Sequence, residues 1–241
     1  MASQPLRTAL GDRGDAVKAW QVFLASQGFD PGMPDGIHGQ KTEAASLAFE
    51  AKASKPAQAA ASIQFLKARN YRPAQRKQVD WVVLHSTENP IRPGTAKSVA
   101  RYFQGPSAPM ASSHYVVGPE EVWQCVPEED IAFAAPGANE KGIQIEMVGQ
   151  AARTEWSKAG SADTDGLDVM TRTAKLVAHI CAQWSIPVER LDSAALLAGK
   201  RGLTTHATVT AAFKRSNHID PGLTNDIRWP WAQFLELVKA A

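Results

Sequence analysis

In the first quarter of the chain, apolar residues recur every three or four positions, which is the spacing of one helical face. The pattern predicts a helix over residues 15–27, with Gly28 as its C-cap, and a second helix over about residues 41–51. Between them, residues 29–39 are rich in Gly, Pro and Asp, and this composition predicts a loop with several turns.

Residues 52–61 are low in complexity and contain no large apolar side chain, which is typical of a linker. The second half of this segment is also compatible with a helix. We therefore divide the chain into an N-terminal domain of residues 1–52, a linker of residues 53–62, and a larger domain of residues 63–241.

Beyond residue 79 the pattern changes to short apolar runs, of which residues 81–84 are continuous enough for a strand buried on both faces. Residues 114–117 and 122–126 are predicted to be a strand pair joined by a Gly-Pro-Glu-Glu turn, and residues 142–148 to be another strand. Helices are predicted at residues 95–103, 167–184 and 229–238. Strands and helices mixed in this way predict an α/β or α+β domain in which helices flank a central mixed sheet.

Composition restricts the functions that need to be considered. A hydrophobic fraction of 44% is ordinary for a globular protein, and a formal net charge of +2 is too small to indicate a nucleic-acid partner. No apolar run approaches the roughly 18 residues needed to cross a bilayer, so we expect no membrane insertion. The two cysteines, Cys125 and Cys181, match no metal or redox spacing, and we expect buried thiols on a strand and a helix.

Three of the six histidines stand where chemistry could use them. His85 follows the buried strand, and His206 follows residues 202–205. His218 and Asp220 occur in the turn-rich residues 216–222. A hydrolytic zinc site needs three ligands from His, Asp and Glu, with a fourth position for water. His85, His206 and Asp220 supply such a set, although residue type alone leaves open that they are ordinary hydrogen-bonded side chains.

Five segments of the larger domain occur in an order typical of one family. They are VDWVVLHST (79–87), SSHYVV (112–117), GIQIEMVG (142–149), LTTHATV (203–209) and NHIDPG (217–222). Over about residues 63–241 the chain resembles the zinc-dependent N-acetylmuramoyl-L-alanine amidases of the type-2 family, which includes phage lysins and peptidoglycan-recognition proteins. The N-terminal segment, with Trp20, Gln21, Asp35 and Gly36 among its matching positions, resembles a three-helix peptidoglycan-binding domain.

The resemblance implies a zinc ion held by His85, His206 and Asp220. It also implies that Glu146 takes a proton from the attacking water and that His218 donates a hydrogen bond to the developing oxyanion. Two alternatives stay open: Glu146 could be a surface residue of an edge strand, and His218 could be the third ligand, with Asp220 behind it.

Two positions depart from the family pattern. Ala134 stands where many relatives carry a histidine that contacts substrate, and Gln144 stands where close relatives usually carry glycine. We expect neither to touch a proposed ligand, although both could narrow substrate choice or slow turnover. His114 is expected to pack near the site rather than to bind metal.

The activity implied by the resemblance is hydrolysis of the peptidoglycan amide bond between N-acetylmuramic acid and L-alanine of the stem peptide. A recognition protein that binds peptidoglycan without cutting it, and a zinc hydrolase of another amide, are the alternatives. Residues 1–7 show no secretory signal. We therefore expect a monomeric phage or prophage lysin, made in the host cytoplasm and released to the cell wall.

Overall fold

A computed structural model describes residues 5–58, 63–223 and 226–241. The chain divides into two compact units, Met1–Ala60 and Ala61–Ala241. The end of the predicted linker, residues 59–62, lies outside the described residues.

The described part of the N-terminal unit contains two helices, α1 (Asp15–Ser26) and α2 (Gln40–Gln58), where the resemblance implies three. The predicted loop lies between them. α2 continues to Gln58 instead of ending near residue 51, so the first part of the predicted linker is helical. Alanine, lysine and glutamine have high helix propensity, and a segment rich in them continues a helix without large apolar residues.

An aromatic core joins the two helices of this unit. The ring of Phe49 in α2 lies 5.7 Å from Trp20 and 5.3 Å from Phe23, both in α1, in edge-to-face contacts. Next to Trp20, the buried side chain of Gln21 fixes the connecting loop, since its Oε1 accepts from the amide of Gly36 at 3.0 Å. Gly36 has a φ of +75°, a conformation that favours glycine.

The larger unit is built around a six-stranded sheet in the order β1-β4-β3-β5-β2-β6. The strands are β1 (Gln64–Phe65), β2 (Trp81–Ser86), β3 (Tyr115–Val117), β4 (Val122–Gln124), β5 (Gly142–Met147) and β6 (Gly202–Thr205). β3 and β4 form the predicted antiparallel pair, and the other neighbours are parallel. The predicted mixed sheet is therefore confirmed.

The helices of this unit are α3 (Thr95–Gln104), α4 (Leu167–Trp184), α5 (Ser193–Leu197), α6 (His206–Phe213) and α7 (Trp231–Lys239). α3 and α4 agree with the prediction, whereas α7 begins two residues late, after Pro230. β1, β6, α5 and α6 were not predicted. None of the helices in the described ranges is long and apolar enough to cross a bilayer.

Helices cover both faces of the sheet. On one face Leu84 and Ile145 belong to the same buried core as Phe234 of α7. On the other face Val83 packs in a smaller core with Val209 of α6. Because successive residues of a strand face opposite sides, β2 contributes to both cores and is buried along its whole length, as predicted.

Both cysteines are free and buried, as expected from the sequence. Cys181 lies in α4, but Cys125 directly follows β4 instead of lying within a strand. Burial raises the pKa of Cys125 to about 12 and that of Cys181 to about 11, so both thiols stay protonated at neutral pH.

Parallel pairing brings the carboxyl ends of three strands to one edge. His85 of β2 is in register with Glu146 of β5, and Leu84 is in register with Thr205, the last residue of β6. His206 follows Thr205 directly as the first residue of α6. The sheet register therefore brings three of the predicted site residues to the same edge.

A buried carboxylate fastens the start of α6 to the C-terminal segment. Asp226 accepts hydrogen bonds from the hydroxyl of Thr205 at 2.6 Å, the hydroxyl of Thr208 at 3.1 Å and the indole of Trp231 at 2.9 Å. Arg190 lies 3.4 Å from the same carboxylate. Thr205 is also the N-cap of α6, because its Oγ1 accepts from the amide of Thr208.

We expect Asp226→Ala to lower the free energy of unfolding by about 3 kcal/mol, because it leaves several buried donors without an acceptor. Urea unfolding measures the change. Asp163→Ala is the matched control: its ion pair with Arg92 is exposed and should contribute less than about 1 kcal/mol. Equal losses in the two variants would contradict the role assigned to Asp226.

Candidate metal centre

Three buried side chains from three parts of the larger unit converge at the carboxyl edge of the sheet. His85 comes from β2, His206 from the start of α6, and Asp220 from the segment that follows α6. Their candidate ligand atoms all lie within 4.8 Å of one another. The structure thus brings together the three residues that the sequence predicts as ligands.

The distances within this group suit a tetrahedral metal ion. The Nδ1 atoms of His85 and His206 are 3.0 Å apart, and each lies 3.5 Å from a carboxylate oxygen of Asp220. Ligands at about 2.0–2.1 Å from a tetrahedral zinc ion are separated by about 3.3 Å. Two imidazoles and a carboxylate are also a donor set that zinc prefers, so these residues fit the ion that the family implies.

Backbone contacts hold Asp220 in this position. The amide of Ser86 donates to its Oδ2 at 3.1 Å, and its own carbonyl accepts from the amide of Ala207 at 3.0 Å. Asp220 is thereby attached to the end of β2 and to the first turn of α6, the elements that carry the two histidines.

The electrostatics of the group favour an anionic carboxylate beside a neutral imidazole. Burial alone would raise the pKa of Asp220, but the polar contacts with His206, His218 and His85 hold it well below its usual range. Burial lowers the pKa of His206 to about 4. At pH 7 Asp220 is therefore ionised, and His206 is neutral and can offer a lone pair.

Glu146 stands beside this group in β5, in register with His85. β5 lies between β3 and β2, so the alternative that Glu146 belongs to an edge strand is wrong. Its Oε2 atom is buried and has no hydrogen-bond partner among the described residues. Burial raises the pKa of Glu146 to about 7, which is suitable for a group that must both accept and return a proton at neutral pH.

His218 lies at the rim of the site. Its side chain is 58% exposed, its ring stacks on that of His206 at 4.2 Å, and its Nδ1 is 3.3 Å from Asp220 Oδ1. The hydrogen bond to Asp220 raises the pKa of His218. The converging ligand group among the described residues consists of His85, His206 and Asp220, without His218.

An open cavity of about 600 Å³ lies above the group. Glu146, His218 and the three candidate ligands line its floor, and α3 forms one wall through Ser98, Val99, Tyr102 and other residues. Ala134, one of the two departures from the family pattern, lies on the wall of this cavity. Its short side chain leaves room where a histidine would project.

The other departure contacts a candidate ligand, so the expectation that neither does is wrong. The Oε1 atom of Gln144 lies 2.9 Å from Nε2 of His85. The sequence contains a signal for this contact: Gln144 precedes Glu146 by two positions in a strand, and residues two apart share a face. His114, which directly precedes β3, lies beside this strand, where its Nδ1 accepts from the amide of Gln144 at 2.9 Å.

The family model that matches this chain lies within the larger unit. The family model described as N-acetylmuramoyl-L-alanine amidase matches residues 75–223, a range that contains the candidate ligands, Glu146 and His218. No match was found among curated protein sequences.

Several solved structures are similar to this chain. The Staphylococcus aureus hydrolase AmiA in complex with its ligand has 16% identity and a TM-score of 0.52, covering 74% of this chain and 85% of its own. A mutant endolysin from Bacillus subtilis has 18% identity and a TM-score of 0.51, covering 73% and 98%. The catalytic domain of XlyA has 18% identity and a TM-score of 0.51, covering 73% and 99%.

At such low identity these structures show a shared fold, and the family is shown by the sequence match. The match extends over more than half of the chain. The chain therefore belongs to the N-acetylmuramoyl-L-alanine amidase family.

Proposed function

We propose that this chain is a zinc-dependent amidase that hydrolyses peptidoglycan between the lactyl group of N-acetylmuramic acid and L-alanine of the stem peptide. The observation that carries the proposal is the convergence of His85, His206 and Asp220 beneath an open cavity, with Glu146 beside them. These three residues would hold the ion. When bound, zinc supplies Lewis-acid chemistry, because it lowers the pKa of a water molecule to about 7.

Glu146 is assigned the proton transfers. As the water oxygen bonds to the carbonyl carbon, Glu146 accepts a proton from that water. The same proton then passes to the amide nitrogen as the carbon–nitrogen bond breaks, because an amine leaves poorly unless it is protonated. A pKa near 7 and a carboxylate oxygen without a partner among the described residues support this assignment.

His218 is assigned the oxyanion. Negative charge develops on the carbonyl oxygen as the water adds, and a donor already in place stabilises that charge. His218 faces the cavity from its rim, and its hydrogen bond to Asp220 favours the protonated, donating form of the ring.

The alternative of a recognition protein without catalysis is disfavoured by the residues themselves. Such a protein needs neither a converged ligand set nor a carboxylate with a buried oxygen that lacks a hydrogen-bond partner among the described residues, and this chain has both. The alternative of a different amide substrate is disfavoured by the resemblance of the N-terminal unit to a wall-binding domain.

We propose that this N-terminal unit tethers the enzyme to peptidoglycan. A phage or prophage origin, release from the host cytoplasm and a monomeric state stay predictions.

We expect about one zinc ion per chain, and we expect His206→Ala to lose most of that zinc and most of the activity, because two ligands hold the ion poorly. Elemental analysis after dialysis measures the metal. His179→Ala is the matched control, since His179 is an exposed histidine of α4. Full zinc content in His206→Ala would remove His206 from the ligand set.

Glu146→Gln keeps the shape of the side chain but cannot take a proton, so we expect kcat to fall by about 10²–10⁴-fold with zinc retained. His218→Ala should lower kcat by about 10²–10³-fold, also with zinc retained.

The bond that is cut is identified by mass spectrometry of digested cell walls, in which the new ends must be lactyl carboxyl groups and alanine amines. Cuts at other bonds would contradict the proposed substrate bond, and zinc loss in His218→Ala but not in Asp220→Ala would make His218 the ligand.

A chain of residues 63–241 should cut soluble muropeptides at the full rate but clear intact walls about 10-fold more slowly, because tethering raises the effective substrate concentration. Clearing rates on purified walls, compared with rates on soluble fragments, measure the difference. If the shortened chain cleared walls as fast as the full chain, the tethering role would be wrong.

A further inference from the structure

Gln144 is a fully buried amide in a strand whose neighbouring residues, Ile143 and Ile145, are apolar. A buried amide is costly unless both of its ends are hydrogen-bonded. Here Oε1 lies 2.9 Å from Nε2 of His85, and the amide nitrogen lies 3.4 Å from the carbonyl oxygen of Ala138. Both ends of the side chain therefore have a partner.

The partners determine which way the amide points. A carbonyl oxygen can only accept, so the NH₂ group of Gln144 must face Ala138 and the Oε1 atom must face His85. Because Oε1 also only accepts, Nε2 of His85 has to carry the ring proton. When the ring is neutral, a proton on Nε2 leaves the lone pair on Nδ1, the atom that faces His206 and Asp220.

The surrounding backbone keeps the amide in this place. An added Cβ at Gly142 would lie 2.9 Å from the amide nitrogen of Gln144 and 2.9 Å from the carbonyl oxygen of Ala138, so glycine leaves the room that the contact needs. The main-chain amide of Gln144 donates to His114 Nδ1 at 2.9 Å, which anchors the residue from the neighbouring segment.

We propose that Gln144 is a positioning residue, which fixes the tautomer and the rotation of His85 so that Nδ1 is directed to the metal. This inference rests on the proposed zinc-dependent function. Hydrogen-bond partners of metal-binding imidazoles typically change metal affinity by about 10–100-fold. The corresponding contact of His206, from its Nε2 to the hydroxyl of Ser216, is longer at 3.4 Å, so Gln144 gives the firmer support.

The test replaces the acceptor with a side chain of similar length. Gln144→Met should bind zinc about 10–100-fold more weakly than the wild-type chain, as measured by competition with a chromogenic chelator. Gln124→Met is the matched control, because Gln124 is a half-buried glutamine of β4 in the same sheet, away from the candidate ligands. Its zinc affinity should equal that of the wild type. Thermal unfolding of the metal-free proteins shows whether either substitution lowers the stability of the fold.

Unchanged zinc affinity in Gln144→Met would overturn the inference while leaving the proposed function intact. An equal loss of zinc affinity in Gln124→Met would also overturn the inference. The same holds if the affinity of Gln144→Met falls only because its metal-free chain is less stable. A wild-type chain that binds no zinc would overturn the proposed function as well.

A second measurement does not depend on how the variant folds. Nitrogen-15 NMR of the zinc-loaded wild-type chain should show the His85 ring with its proton on Nε2 and the metal on Nδ1. The reverse arrangement, with the proton on Nδ1, would overturn the inference.

Discussion

The parallel pairing of β2 with both β5 and β6 is the constraint on which the candidate site depends. His85, Glu146 and Thr205 lie at or beside the carboxyl ends of these strands, and their positions follow from backbone register before any side chain is considered. Since parallel strands end at the same edge, residues from distant parts of the sequence meet there. No loop separates His206 from β6, because this strand passes directly into α6 at Thr205, the N-cap of the helix.

Contacts at this edge of the sheet also stabilise the buried negative charge of Asp220. An isolated carboxylate is costly to bury, yet Asp220 is held by the amide of Ser86 and approached by His85 and His206. The same contacts that offset the cost of burial aim the carboxylate at the two Nδ1 atoms. The burial of this charge and the geometry of the candidate metal centre therefore depend on one set of interactions.

The sequence predicted the buried strand β2, the pair of β3 and β4, and α4, because each of these has a strong local pattern. It missed β6 and α6, because β-branched residues occur on both sides of their junction at Thr205 and no local pattern separates the strand from the helix. The ligand set came from a resemblance, since spacing alone leaves distant histidines ambiguous. Alternation along β5 places Gln144 on the same face as Glu146, but its contact with His85 also depends on β5 pairing with β2, which is distant in the sequence.

The two faces of β5 explain how one short strand serves both the core and the site. Ile143, Ile145 and Met147 face the main core, whereas Gln144 and Glu146 face the candidate ligands. A shift of one residue in register would exchange these sets, placing apolar side chains at the metal group and two polar groups in the core. The apolar burial of the alternate positions therefore fixes the register, and the register fixes the distance of Glu146 from the ligands. In this strand, packing in the core sets the geometry of the proposed chemistry.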